Sequence, residues 1–161
     1  MKTNKLALLS MILSMALILA YIDSIIPYNF VIPGIKMGLC NIAIVFGLYK
    51  LGIKEAILIS LTRVFVMTIL FSNGVTFIYS IAGAVLSLFV MCILKRFNVF
   101  DEYGVSIAGA LAHNIGQLLA AIFILQTNTI VYYLPYLLLS GLISGLIIGI
   151  LSAIMIKRIN L

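Results

Sequence analysis

The sequence predicts an all-α integral membrane protein, a single domain spanning residues 1–161 and built as a bundle of six transmembrane helices with both ends in the cytoplasm. Three observations lead there. The chain is 65% apolar and only 9% charged, more hydrophobic surface than one small water-soluble core can bury. The apolar residues fall into runs near the roughly 20 that a helix needs to cross the hydrocarbon. The basic residues cluster between those runs, on what six crossings make a single side of the membrane.

The spans are read in chain order as 6–26, 36–49, 55–71, 75–94, 104–125 and 130–156. The second is short, so its start lies in the segment VIPGIKMGLCN at 31–41, or part of that segment is re-entrant and shielded from lipid by protein. Lys2 and Lys5 precede the first span and Lys50 and Lys54 separate the second from the third. Lys95 and Arg96 follow the fourth, Lys157 and Arg158 the sixth. The positive-inside rule assigns all of them to the cytoplasm, leaving residues 31–41 on the outer side. The formal charge of +6 is then a record of cytoplasmic anchors and no argument for nucleic-acid binding. The first span has the basic start and apolar centre of a signal peptide, but no clear A-x-A site follows and its removal would break the charge alternation. Cys40 and Cys92 fall in apolar segments without metal-ligand spacing and read as small buried residues.

Polar residues inside the spans carry the functional signal. Arg63, His113 and Asn41 each lie nine residues from the cytoplasmic end of their helix, at a common depth of about 13 Å. His113 and Gln117, spaced i, i+4, share one helix face, with Asn114 beside them. Asp23, Lys36 and the turn Ser72-Asn73-Gly74 lie at the outer end. Together they outline a path from the outer surface to the membrane interior, with Lys36, Asn41, Arg63, His113, Asn114 and Gln117 as candidate ligand-binding residues. An arginine at this depth is expensive and faces a cavity, a counter-charge or a bundle interior, so Arg63 is either a ligand group or a structural hydrogen-bonding centre. Asp23 and Lys36 also read as an ion pair across the outer loop, and Lys36 as a side chain reaching to the headgroups.

Small residues recur every fourth position at Gly104, Ala108, Ala112, Gly116 and Ala120, and again at Gly141, Gly145 and Gly149. Such stripes let helix backbones approach closely. On the first span Ala16 and Ala20 make one small face and Ala7, Ser10 and Ser14 another, enough for one internal and one external neighbour. There is no G-x-x-x-x-G-K-[ST] phosphate loop. The adjacent acidic pair Asp101-Glu102 lacks the companion carboxylates that hold magnesium against a diphosphate. The expectation is a protein that is not an enzyme and carries neither cofactor nor metal.

PGIKMGLCN, Arg63, FSNG with YSIAG (71–83), GVSIAGALAHNIGQ (104–117) and YYLP with LLLSG (132–141) together resemble the Gx transporter family, also called heptaprenyl diphosphate synthase component I. That family is in turn similar to the substrate-binding S subunits of energy-coupling factor (ECF) transporters. The resemblance covers nearly the whole chain, and P-G-x-K-x-G-x-x-N with A-H-N-x-G-Q are its most specific strings. It implies a six-helix cell-membrane subunit that binds a scarce nutrient from outside, and Lys36 and Arg63 make a small anionic nutrient or precursor the expected ligand. The partners it implies are a membrane coupling subunit and two cytoplasmic ATPases. In such subunits a small-residue motif on the first helix meets the coupling protein, and Ala16 and Ala20 match it, with Ser10 and Ser14 as the competing face. Two other readings stand beside this one: an accessory subunit or scaffold for a prenyl diphosphate or quinone pathway enzyme, and a self-contained facilitator.

Overall fold

A computed structural model of the chain describes residues 2–26, 38–71, 74–98 and 100–159. Over those residues the backbone forms α1 (Lys2–Ile25), α2 (Asn41–Lys50), α3 (Ile53–Phe71), α4 (Gly74–Arg96), α5 (Glu102–Leu125), a 3-10 helix (Asn128–Tyr133) and α6 (Leu134–Arg158). Among the described residues four stretches are long and apolar enough to cross a membrane: Lys5–Ile25, Gly74–Arg96, Glu102–Leu125 and Thr129–Arg158. The chain is a helical membrane protein. α3 has 19 residues, but Lys54, Glu55 and Arg63 load it with charge.

α2 differs most from expectation. It has 10 residues, about 15 Å of helix, or half of a hydrocarbon core about 30 Å thick. Its start moves from 36 to Asn41 because Gly38 adopts a left-handed φ of +70°, which interrupts a right-handed helix. Pro33, Gly34 and Lys36, and with them the re-entrant reading, lie outside the described residues. Leu51-Gly52 then turns the chain into α3, with Gly52 at φ +122° and both N–H groups donating to the Gly47 carbonyl. Ile42 to Leu48 are all buried, so α2 is hydrophobic all round and fills the centre of the bundle. Lys95 of α4 holds its C-terminal end by donating to the Leu48 carbonyl, with the ammonium 5.1 Å from the Tyr49 ring centre. Lys5 pairs with Glu55, joining the starts of α1 and α3.

α5 packs most closely against α4 and α6. A Cβ on Gly116 would lie 2.7 Å from the Ala82 carbonyl oxygen, and one on Gly145 would lie 2.8 Å from the Ile107 Cα, so these helices meet backbone to backbone. Ser106 adds a hydrogen bond of 2.8 Å to the Gly145 carbonyl. α6 begins at Leu134 rather than 130. Pro135 suits a first helical turn, where no N–H partner is lost, and the preceding residues take the tighter 3-10 form. Large apolar side chains such as Met11, Ile18, Phe65, Ile69, Phe89, Leu119 and Phe123 cover the outside. That surface suits lipid and would be a liability in water.

Candidate functional site

The site is assembled where the N-terminal end of α2 meets α1, α3, α4, α5 and α6. Asp23, buried near the end of α1, accepts a 3.0 Å hydrogen bond from the Gly38 N–H. The Gly38 carbonyl in turn accepts from the Asn41 N–H at 2.8 Å. Asp23 therefore fixes the backbone from which α2 starts, and Asn41, its first residue, faces the interior polar region.

Arg63 comes from the middle of α3. Its Nε is buried and has no hydrogen-bond partner, and among the described residues Arg63 forms no ion pair. In water that N–H would be hydrated; here it is sealed from solvent without a partner, while the side chain as a whole is half-buried and borders the cavity.

α5 supplies His113, Asn114 and Gln117, and two glycines on its neighbours decide how those side chains lie. At Gly83 of α4 a Cβ would fall 2.9 Å from both Gln117 Cγ and His113 Cε1. Both side chains thus rest against bare backbone. At Gly141 of α6 a Cβ would fall 2.7 Å from Asn114 Nδ2, the atom that donates to the Leu137 carbonyl at 2.6 Å. Without these two glycines the trio could not pack where it does.

Asn41, Arg63, His113, Asn114 and Gln117 line one cavity of about 70 Å3, together with Asp23, Ser80 and Ser144. That is room for roughly two waters at the density of the liquid. A second cavity of about 340 Å3 adjoins it, sharing Asp23, Cys40, Arg63 and Ser80, and extends between α1, α3 and α4 past Thr68, Thr76 and Phe71. Five of the six residues expected to bind a ligand are therefore brought together; the sixth, Lys36, lies outside the described residues. Between them the two cavities offer one cation, one carboxylate and several further hydrogen-bonding groups, suited to holding a polar solute away from lipid. Among the described residues no group of three or more His, Cys, Asp or Glu side chains is placed to hold a metal ion.

Sequence reasoning missed Gly83, Gly141, Ser80 and Ser144 as parts of this site. Gly141 stood in a small-residue stripe read as helix packing, and nothing in the string YSIAG tells that Gly83 faces an imidazole. Cys40 read correctly as buried and also lines both cavities.

On α1 the two small faces separate cleanly. Ala16 is fully buried and Ala20 nearly so, packed inward with Ile12. Ser10 and Ser14 are exposed and line a shallow apolar groove with Met11, Met15, Ile18 and Leu19. The alanines are thus internal packing residues here, because Ile12, Ala16, Ala20 and Asp23 fall on one helix face turned toward the bundle.

The family model described as "Heptaprenyl diphosphate synthase component I" matches residues 12–155. No curated protein and no solved structure gave a match.

Proposed function

The chain belongs to the heptaprenyl diphosphate synthase component I family, and on that footing we propose that it is the solute-binding membrane subunit of an uptake system, a non-enzymatic protein of the cell membrane. In this reading all six helices cross or enter the bilayer and both termini are cytoplasmic. A small, anionic nutrient or precursor enters from outside through the larger cavity and rests against Arg63, Asn41, His113, Asn114 and Gln117. The observation that carries the reading is Arg63: a half-buried cation whose Nε lacks a partner, at a cavity lined by hydrogen-bonding groups from other helices, the Asp23 carboxylate among them. A residue kept only for structure would be expected to have its N–H groups satisfied.

The family's description names a component, which supports a multi-subunit setting. The ECF arrangement supplies specific partners, a membrane coupling subunit and two ATPases. The surface that suits such a partner is the exposed Ser10–Ser14 face, since Ala16 and Ala20 are turned inward. The second reading, an accessory subunit of a prenyl synthase, rests on the same description. Against a synthase activity in this chain stands the use of its acidic residues, of which the sequence has four. Asp23 holds Gly38 and Glu55 pairs with Lys5, leaving Asp101 and Glu102 to serve a diphosphate.

Affinity purification of the tagged full chain from its own membranes separates the readings. The uptake reading expects a membrane coupling protein and ATP-hydrolysing subunits; a soluble prenyl synthase in their place would establish the other.

A further inference from the structure

The amide of Asn114 is held in one orientation. Its Nδ2 donates to the Leu137 carbonyl at 2.6 Å and is the atom closest to the bare Gly141 backbone. Turning the amide over would set Oδ1 against that carbonyl, acceptor against acceptor. Oδ1 accepts no hydrogen bond among the described residues and is not sealed from solvent, so it is open to the cavity that Asn114 lines. Asn114 therefore presents an acceptor. Arg63, on α3, presents only donors.

We propose that the cavity recognises a compact bipolar solute, one that carries an N–H or O–H donor for Asn114 Oδ1 as well as an anionic group for Arg63. This rests on the solute-binding reading and narrows its substrate class. A fully deprotonated oxyanion such as sulfate satisfies Arg63 but meets Asn114 with a second acceptor, and so is disfavoured. Gln117, whose amide also makes no hydrogen bond among the described residues, has both a donor and an acceptor and fits either end. Asn114, whose orientation is imposed by α6, is thus a fixed acceptor in the cavity that the Asp23 carboxylate also lines, and both call for a donor on the solute.

Isosteric five-membered rings test this directly. Pyrrole-2-carboxylate and furan-2-carboxylate differ in one N–H against one ring oxygen, and the 3-carboxylates repeat the comparison with the donor moved around the ring. Calorimetric titration of the detergent-purified full chain should show at least one pyrrole carboxylate bound roughly ten- to a hundredfold more tightly than its furan counterpart. The corresponding pyrrole carboxamide should also bind more weakly, through loss of the charge facing Arg63. Gly141→Ala, whose Cβ would lie 2.7 Å from Asn114 Nδ2, should shrink the pyrrole-to-furan ratio while preserving the carboxylate-to-carboxamide ratio. The ratio on the unaltered chain decides the matter even if that variant does not fold. Equal binding of pyrrole and furan carboxylates overturns the donor requirement and leaves the anion site standing. Failure of every carboxylate to bind a folded chain overturns both.

Discussion

Replacing Arg63 with methionine should make the empty protein more stable while removing its ability to bind an anionic solute. A helix interior that buries a guanidinium N–H without a partner bears the desolvation cost of that group, about 1–3 kcal/mol. Arg63 Nε is such a group. No ion pair among the described residues offsets it. The rest of the guanidinium borders two cavities and keeps access to solvent, so the relief is that of one N–H and not of a whole desolvated charge. Methionine keeps the unbranched stem and fills the same space without polar demand. The expected gain is thus about 1–3 kcal/mol, and thermal unfolding in detergent should shift upward by about 2–4 °C for each kcal/mol.

Solute binding should move the other way. A charge-assisted hydrogen bond is worth about 1.5–3 kcal/mol net, so affinity for a carboxylate probe should fall roughly ten- to a hundredfold. Arg63→Lys should recover only part of it, because an ammonium lacks the planar fork that grips two oxygens. The opposed signs make the experiment decisive. If Arg63→Met unfolds more easily than the parent chain, Arg63 is a structural hydrogen-bonding centre and the cavity loses its central residue.

Gly83→Ala should lower carboxylate affinity while leaving the helical content unchanged by circular dichroism, since its Cβ would displace the His113 ring and the Gln117 stem, each at 2.9 Å, rather than backbone. On α1, Ser14→Leu should abolish assembly with a membrane partner in pull-down and leave carboxylate binding intact. Ala16→Leu, at a fully buried position, should instead reduce the yield of folded chain by overpacking, costing about 1–3 kcal/mol. In a chain with Cys40 and Cys92 changed to alanine, a cysteine at Thr129 should react with an impermeant thiol reagent applied from outside, and one at Phe97 should not; the reverse pattern would invert the orientation of the site.

The helices were legible because long apolar runs between charged breaks have few other solutions. α3 coincides with the apolar run read at 55–71, although Lys54, Glu55 and Arg63 keep it out of the four helices long and apolar enough to cross a membrane. The start of α2 was not legible, since it depends on a left-handed Gly38 and on Asp23 reaching across from α1, a contact fifteen residues away in sequence. The equal depth of Asn41, Arg63 and His113 was enough to bring five residues to one cavity, because depth along a helix is a matter of counting. Rotation about the helix axis is not. Whether Ala16 or Ser14 faced inward could not be read from two equally small faces, and α1 settles it by turning the face with Ile12 and Asp23 toward the bundle.

The two sides of the cavity are built on different terms, and this bears on what it selects. α5 is clamped between α4 and α6 by glycines at which a Cβ would meet neighbouring backbone within 3.0 Å, so His113, Asn114 and Gln117 project from a wall with little room to adjust. Arg63 projects from α3, which packs less closely on α4 than α5 does and whose long side chain reaches both cavities. A flexible cation can follow an anionic group over a range of positions, whereas a locked amide accepts a donor at one. Charge at Arg63 therefore sets whether a solute is held, and the geometry at Asn114 sets which one. Selectivity among anions of the same charge should track α5 and its two glycine contacts rather than α3.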